Sequence, residues 1–355
     1  MPFRPSDANL KLKAPDDLIA HYAVAALDAL NREGAIYKIF SQPSTRIPDQ
    51  DGFLFIPSKN HFQGVAIRDG FAMVTTSAEG GAIVSAKGHQ KEFLLDSVEP
   101  TGGFEHPGGV QTIGSYLVVP VYAHESDDER AEIRFYKYGP QIELVNHLTI
   151  KRDGKRLYCL GITDCTGPDG DYYVLAVVSH NEGHEIDFYR TEPGIPLSDQ
   201  QCSFVKQAER HLNDHTPYKT WHYETIQNNP QHVADWQPDQ NWGGYPNSVS
   251  LLADEAGHVY FLGLHLSDSG KDWADLFLLN LDAAEERMLT KLAHFHAIAQ
   301  DGASFRWAGS ALVTSETTLS IFTCARNAEN DDQELTLNVF HANNDPLFGR
   351  LNIVV

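Results

Sequence analysis

Five variants of one short phrase recur along the chain: His61-Phe-Gln-Gly-Val, His106-Pro-Gly-Gly-Val, Tyr158-Cys-Leu-Gly-Ile, Tyr245-Pro-Asn-Ser-Val and Arg306-Trp-Ala-Gly-Ser. The copies are followed by short runs rich in β-branched and aromatic residues, such as Tyr172-Tyr-Val-Leu-Ala-Val-Val after the third copy. Runs of this composition are typical of β-strands. A supersecondary unit that recurs every few tens of residues indicates a repeat architecture.

The spacing of the phrase predicts the number of repeats. Its shared Gly or Ser falls at Gly64, Gly109, Gly161, Ser248 and Gly309, at intervals of 45, 52, 87 and 61 residues. A four-stranded propeller blade needs about 40–50 residues. We therefore predict an all-β fold, a five-bladed β-propeller, and leave open a sixth blade within the longest interval.

From about residue 40 to its end, the chain resembles the β-propeller superfamily in the form of this repeat. It carries no Trp-Asp dipeptide, no kelch double-glycine signature and no Asp-box, so the resemblance points to the superfamily and to no particular family. The resemblance implies a ring of sheets around a channel. It leaves the activity open, because one fold hosts many unrelated functions.

The chain divides into two regions by pattern. Residues 1–34 are expected to form an N-terminal arm and a helical cap that packs on the propeller. Residues 35–355 are expected to form a single propeller domain, because blades bury their faces only against neighbouring blades. This domain carries an insertion at about 191–244, whose tryptophans and prolines favour one long ordered loop.

Two features of the chain ends support this division. From Asp16 to Arg32 the apolar residues recur at helical spacing, and Gly34 is placed to end the helix. Propellers avoid an exposed sheet edge when a strand from one terminus completes the last blade. The candidates for that strand are Ala35–Phe40 and Leu347–Val355.

Composition limits the partners and the compartment. The net charge of −21 and the pI of about 5.1 disfavour nucleic acid and anionic membranes as partners. The sequence contains no run of 18 apolar residues, and its first residues lack the apolar core of a signal peptide. The four cysteines show no Cys-x-x-Cys spacing, which indicates reduced thiols. We therefore expect a cytoplasmic protein with a small-molecule ligand, and the oligomeric state stays open.

Strand geometry predicts where the repeat would place a site. Antiparallel neighbours reverse direction, so inner-strand starts and second-strand ends lie on one face of the disc, here called the mouth. The inner strands supply His61, Gln63, His106, Tyr158, Tyr245, Asn247, Arg306 and Trp307. The second strands supply Ser77, His124, Ser179, His180, His265 and Ser267. The long insertion emerges on the same face, where Trp242 could stack on a ligand.

The convergence of imidazoles at the mouth points to acid–base chemistry. We predict His61, His106 and His180 as catalytic residues, because histidine exchanges protons near neutral pH. Alternatively, His61, His106 and a third histidine hold a divalent metal that activates water or a carbonyl. The predicted ligand-binding residues are Gln63, Gln111, His124, Tyr158, Asn247, His265, Trp307 and Trp242.

Several of these residues also have a purely structural explanation. Gln63 and Gln111 could satisfy backbone groups inside a narrow channel. The glycines of the phrase could allow close approach of backbones near a crowded axis. Cys159 is expected to be an inert interior thiol.

The sequence favours a hydrolase or lyase that acts on a polar or aromatic metabolite. Glycoside hydrolysis needs two carboxylates flanking the bond, and Asp69, Glu105 and Asp164 do not form a clear set. No Gly-x-Ser-x-Gly motif occurs. The alternative is a non-catalytic ligand-binding or protein-interaction propeller. Because the phrase changes from copy to copy, one composite pocket fits better than five equal pockets.

Overall fold

The structure is a computed structural model of the chain, which is almost entirely β in the part described. The described residues are 7–14, 21–40, 61–68, 71–77, 82–87, 90–97, 104–123, 130–138, 142–154, 156–179, 185–204, 217–222, 248–267, 270–326 and 334–346. A short helix, α1 (Tyr22–Asp28), precedes the first strand, β1 (Ala35–Phe40).

The remaining strands form, with β1, five antiparallel sheets. Sheet 1 contains β2 (His61–Arg68), β3 (Phe71–Ser77), β4 (Ala82–Lys87) and β5 (Gln90–Ser97). Sheet 2 contains β6 (Phe104–Pro107), β7 (Gln111–Ile113), β8 (Tyr116–Ala123), β9 (Arg130–Lys137), β10 (Glu143–Leu144) and β11 (Ile150–Asp153).

The other three sheets follow in chain order. Sheet 3 contains β12 (Leu157–Gly167), β13 (Gly170–Ser179), β14 (Glu185–Arg190) and β15 (Lys219–His222). Sheet 4 contains β16 (Ser248–Ala253), β17 (Val259–Leu266), β18 (Asp272–Leu279) and β19 (Leu289–Ala297). Sheet 5 contains β20 (Gly309–Ser315), β21 (Thr318–Cys324), β22 (Glu334–His341) and β1.

The sheets are arranged in a ring around their inner strands. Each inner strand contacts the inner strand of the next sheet, in the order β2, β7, β12, β16 and β20. The last of these, β20, contacts β2 and closes the circle. Radial packing of antiparallel sheets around a central axis is the propeller architecture. The all-β propeller predicted from the repeat is therefore confirmed.

The predicted number of regular blades needs correction. Four of the sheets have the four-stranded form of a blade, whereas sheet 2 has six strands. Five equivalent four-stranded blades are therefore not present, and no sixth sheet occurs among the described residues. In sheet 2, both β6 and β7 pair with β8, and both β10 and β11 pair with β9.

The break in the inner strand of sheet 2 follows from its Pro-Gly-Gly sequence. Gly108 N still donates to Pro120 O at 2.8 Å, but Gly109 N donates instead to Tyr158 O of sheet 3 at 2.8 Å. Leu160 N returns a bond to Gly109 O at 3.2 Å. A Cβ atom on Gly108 would overlap the carbonyl oxygen of Tyr158. Two glycines in a row thus let sheet 2 bond directly to the backbone of sheet 3.

The shared glycine of the phrase sets the distance between other inner strands. A Cβ atom on Gly161 would lie 2.7 Å from Leu251 N of sheet 4. A Cβ atom on Gly64 would lie 2.7 Å from Gly108 O of sheet 2. Both distances are shorter than real Cβ contacts, so only glycine fits. The packing role predicted for these glycines is confirmed.

The last sheet is closed by a strand from the other end of the chain. β1 pairs antiparallel with β22, with Ala35 opposite Val339 and Phe40 opposite Glu334. Ala35–Phe40 is therefore the closing strand, as one of the two sequence candidates predicted. The other candidate, Leu347–Val355, lies outside the described residues. The pairing removes an edge that would otherwise be open to another strand.

The helix is shorter than the sequence pattern predicted. It has 7 residues, and buries Ala23, Ala26 and Leu27. It contacts β19 and β21, the last strand of sheet 4 and the second strand of sheet 5. Residues 15–20, where the helix was expected to begin, lie outside the described part. None of the helical segments described here has the length and apolar character needed to traverse a bilayer.

The predicted insertion at 191–244 contains a strand of the propeller. β15 (Lys219–His222) pairs with β14 and is the fourth strand of sheet 3. Four residues are too few to show the alternation by which a strand is recognised, so the sequence pattern missed it. Residues 205–216 and 223–247 lie outside the described part.

Alternate residues of each middle strand pack against different neighbouring sheets. In β17, Phe261 packs with Phe188 of sheet 3, whereas Tyr260 and Leu262 belong to the cluster that includes Ile321 of sheet 5. A strand buried on both faces has no need of polar alternation. The core is therefore divided into separate layers of side chains that lie between neighbouring sheets.

Candidate functional site

The mouth of the ring is formed as the antiparallel geometry predicts. In sheet 1, His61 at the start of β2 pairs with Ser77 at the end of β3. In sheet 2, His106 of β6 pairs with Tyr122 near the end of β8. The same relation holds in the other three sheets. Inner-strand starts and second-strand ends thus meet on one face.

Two predicted site residues from different sheets touch at this mouth. The amide Nε2 of Gln63 in sheet 1 lies 3.0 Å from Nε2 of His106 in sheet 2. The contact joins an amide group and an imidazole, both of which can form directional hydrogen bonds. Both side chains are half-buried. Residues 43 positions apart in sequence therefore share one polar contact.

An aromatic side chain of sheet 2 contacts His106, and one of sheet 3 lies near that side chain. The ring of Tyr122 lies against the imidazole, with 4.7 Å between the ring centroids. Burial, and then Tyr158 nearby, raise the pKa of Tyr122, while Arg156 acts in the opposite direction. Tyr158 is itself half-buried, and burial raises its pKa as well. Both phenols are therefore neutral hydrogen-bonding groups at physiological pH.

Sheet 5 contributes an indole flanked by two cations. The guanidinium of Arg306 lies 4.9 Å from the ring centroid of Trp307, and that of Arg326 lies 4.7 Å from it. The backbone of Arg326 accepts a bond from Phe62 N at 2.8 Å, which ties this corner to sheet 1. Cation–π contacts of this kind hold an indole in a fixed orientation.

Gln111 lies deeper, and its amide binds the backbone of two other sheets. Its Oε1 accepts from Ile162 N of sheet 3 at 2.7 Å and from Leu251 N of sheet 4 at 2.9 Å. Its Nε2 donates to Leu251 O at 2.9 Å. The side chain is buried. These contacts match the structural explanation for Gln111, in which its amide satisfies backbone groups.

His265 lies in the body of sheet 4. Its Nε2 is 2.9 Å from Asp275 Oδ2, and Lys291 Nζ is 2.7 Å from Asp275 Oδ1. Burial would raise the pKa of Asp275, but His265 and Lys291 outweigh it and hold the pKa below its usual value. The three side chains form a buried charged network between the second, third and fourth strands of the sheet.

The remaining predicted site residues lie outside the described part of the chain. They are His124, His180, Trp242, Asn247 and the side chain of His61. Among the described residues, no three His, Cys, Asp or Glu side chains come together in a way that could hold a metal ion. The thiol of Cys159 is fully buried, and burial raises its pKa.

Three mouth residues were not predicted from the sequence, namely Tyr122, Arg156 and Arg326. Tyr122 is the register partner of His106. Arg326 follows the end of a second strand, and Arg156 precedes an inner strand. All three fit the topological rule for the mouth, but none of them is a histidine or belongs to the repeated phrase.

Asp272, at the start of β18, gives this region a pH-dependent stability. Burial raises its pKa from 3.8 to about 6, although Ser304 Oγ and Phe305 N both donate to Oδ1 at 2.8 Å. The folded protein therefore holds this proton more tightly than the unfolded chain does. The contribution of Asp272 to the free energy of unfolding is greatest below a pH of about 4. It falls by about 3 kcal/mol in all as the pH rises through about 6.

We expect Asp272→Asn to be more stable than the natural protein at pH 8 and equally stable at pH 4. The asparagine oxygen can accept both bonds without carrying a buried charge. The gain at pH 8 should be up to about 3 kcal/mol. Urea unfolding of both proteins at the two pH values measures it. A difference that does not change with pH would contradict the assignment.

The opposite end of the ring is crossed by the N-terminal arm, residues 7–14. Asn9 Oδ1 accepts from Arg68 of sheet 1 at 2.7 Å and from Gly114 N of sheet 2 at 3.1 Å. Asn9 Nδ2 donates to Thr112 O at 3.0 Å, and its backbone N donates to Asp164 Oδ1 of sheet 3 at 2.9 Å. One asparagine thus joins three sheets.

The rest of the arm continues to the other two sheets. Lys11 Nζ lies 3.1 Å from Asp164 Oδ2. Leu12 N donates to Ala253 O of sheet 4 at 2.9 Å, and Lys13 N donates to the oxygen of Glu316, next to sheet 5, at 2.6 Å. The arm therefore contacts all five sheets at the ends of their inner strands. The described part of the arm therefore lies at the end of the ring opposite the mouth.

Comparison with known proteins shows that the fold of this chain is similar to the folds of some solved structures. The sequence matches no protein-family model and no curated protein. The fold is similar to that of the catalytic domain of a Coprinopsis cinerea α-L-arabinofuranosidase of glycoside hydrolase family 62, with a TM-score of 0.42 and 10% identity over 96% of this chain and 98% of that one.

Two further solved structures show similar likeness. One is a Bombyx mori β-fructofuranosidase of glycoside hydrolase family 32 in complex with sucrose, with a TM-score of 0.40 and 11% identity over 78% of this chain and 58% of that one. The other is a neuraminidase-like protein of subtype N11 from a bat influenza virus, with a TM-score of 0.35 and 9% identity over 95% and 96%. At scores and identities this low, no property of these proteins is transferred to this chain.

Proposed function

We propose that this protein is a propeller enzyme of hydrolase or lyase type whose small-molecule site lies at the mouth. The observation that supports it is the contact between Gln63 and His106 at 3.0 Å. In this contact, the imidazole is held by a residue of a different sheet. An imidazole oriented by a hydrogen bond is suited to proton transfer near neutral pH.

The surroundings of His106 favour a polar or aromatic ligand. Tyr122 and Tyr158 offer flat faces and neutral hydroxyl groups, and Trp307 offers an indole held by two arginines. Ligand pockets combine apolar or aromatic walls with a few placed polar groups. In the proposed reaction His106 accepts or donates the proton, and Gln63 orients the imidazole of His106. The aromatic side chains hold the ligand.

The proposal extends to the architecture and the compartment. We infer that the six-stranded sheet 2 acts as the fifth blade, because β7 contacts the inner strands on both sides of it. We also infer that α1 and the arm together cap the propeller. A cytoplasmic location is supported by the four cysteines, all of which are buried and outside any disulfide.

His106→Ala is expected to abolish turnover while leaving the fold intact. Loss of a general acid or base lowers the rate by about 100-fold or more. The measurement is hydrolysis of a panel of chromogenic esters and glycosides by the natural protein and the variant, with circular dichroism as the test of folding. His147→Ala is the matched control, since His147 bonds Leu197 O at 3.0 Å on the periphery of sheet 2.

Unchanged turnover in the His106→Ala variant would contradict the assignment. Binding of panel compounds at the mouth without any turnover would favour the ligand-binding alternative. Equal losses in both variants would indicate that the effect is a general one on the fold.

A further inference from the structure

A second cleft lies at the arm end of the ring, between sheets 3 and 4. It has a volume of about 230 Å³. Its walls come from the start of β13, the end of β14, the turn between β16 and β17, and the end of β18. These elements all lie on the face opposite the mouth. The cleft is therefore separate from the proposed active site and does not depend on that proposal.

The cleft contains a cation whose donors are poorly satisfied. The side chain of Arg190 is only 16% exposed, and its guanidinium lies 4.3 Å from the ring centroid of Tyr218 and 5.8 Å from that of Tyr172. Within the described residues it makes no hydrogen bond. Among those residues its carboxylate neighbour is Asp282, at 4.0 Å, and that side chain is 78% exposed. Because Arg190 lines the cleft, its N–H donors are available to an anionic ligand there.

A histidine oriented by a buried carboxylate lies on the same cleft. His258 Nδ1 is 2.8 Å from Asp254 Oδ2, and the same oxygen accepts from the hydroxyl of Tyr260 at 2.7 Å. Asp254 is fully buried, whereas the side chain of His258 is 35% exposed. The bond to Asp254 fixes the ring and leaves Nε2 for a ligand. A histidine held in this way gives a fixed hydrogen-bonding point.

Part of the remaining wall is apolar. Val174, Val259 and Leu279 line the cleft beside the ring of Tyr172. A ligand that fits the guanidinium, the imidazole and the apolar wall has a negative charge at one end and an apolar body. It is also smaller than a typical drug. A small organic carboxylate meets these conditions. An inorganic phosphate would bring a second negative charge near Asp254 and Asp282 and would leave the apolar wall uncovered.

We infer that this cleft binds a small organic carboxylate. The carboxylate pairs with Arg190 and displaces the weak contact with Asp282. The apolar body packs against Val174, Val259 and Leu279. His258 Nε2 bonds a polar group of the ligand or the second carboxylate oxygen.

Benzoate and its uncharged analogue benzamide are the probes that test the inference, by isothermal titration calorimetry on the full chain. We expect saturable binding of benzoate and none of benzamide. Arg190→Gln should weaken benzoate binding by about tenfold or more, because a charge-assisted pair is lost. Asp282→Asn should strengthen it about two- to fivefold, since one competing exposed ion pair is removed.

Arg326→Gln at the mouth is the matched control and should leave benzoate binding unchanged. Circular dichroism of each variant confirms folding, and the opposite effects expected at Arg190 and Asp282 cannot both arise from a damaged fold. The inference is overturned if Arg190→Gln binds benzoate as the natural protein does, or if Arg326→Gln loses the binding. It is also overturned if inorganic phosphate binds in place of benzoate, or if benzoate shows no binding at about 10 mM.

Discussion

Gln111→Ala is expected to lower the free energy of unfolding by about 3–5 kcal/mol. The amide of Gln111 binds Ile162 N, Leu251 N and Leu251 O, which belong to two different inner strands. Alanine leaves these three buried backbone groups without their partner, and each such loss costs about 1–3 kcal/mol. Part of the cost is recovered if water enters the space.

Urea unfolding at neutral pH, followed by tryptophan fluorescence, measures the effect of Gln111→Ala. Gln201→Ala is the matched control, because Gln201 is exposed and only its backbone N bonds Asp199. The control should stay within about 0.5 kcal/mol of the natural protein. Equal stability of the two variants would show that Gln111 does not join the three sheets.

Asn9→Ala is expected to lower the free energy of unfolding by about 2–4 kcal/mol, and removal of residues 1–14 by more. The Asn9 side chain binds Arg68, Gly114 N and Thr112 O, which belong to sheets 1 and 2. Removal of the arm also exposes the pocket of the fully buried Leu12 and leaves Asp164 without Lys11. Burial of one leucine alone contributes about 1.5–3 kcal/mol.

Leu10→Ala is the control for the arm. Leu10 belongs to the same segment, and it is 55% exposed. Thermal unfolding of the two point variants and of the truncated protein measures the effect. Truncation without any loss of stability would show that the arm does not hold the ring closed at this end.

The ring itself could be predicted because its signal is local and repeated. Each copy of the phrase carries a small residue where two inner strands approach, and Gly161 beside Leu251 N shows why. The closing strand Ala35–Phe40 was also predictable, since an apolar run near one terminus is expected to pair with the last blade. Both inferences need only strand periodicity and the rule that sheets avoid open edges.

The departures from the regular pattern are tertiary in origin. In sheet 2, Gly109 leaves its own sheet to bond Tyr158, which depends on how closely sheet 3 approaches. The strand Lys219–His222 is too short to carry a pattern, and it is defined by its pairing with β14. The path of the arm depends on contacts of Asn9 with residues more than 100 positions away. None of these has a periodic signature in sequence.

The sequence predicted where the candidate site lies better than it predicted which residues form it. Gln63 and His106 meet because both belong to the starts of inner strands in adjacent repeats, which the topology brings to one face. His265 shares the same topological position, yet its diagonal contact with Asp275 places it in the body of sheet 4. The cleft beside Arg190 gave no signal in the phrase, because its residues come from strand ends on the other face.

A crystal structure of the His106→Ala variant with its best substrate from the ester and glycoside panel would show where the substrate binds. We expect electron density for the substrate at the mouth, in contact with Gln63 and Tyr158, beside the space left by the imidazole. Density for the substrate at any other place, including the cleft beside Arg190, together with an empty mouth, would contradict it.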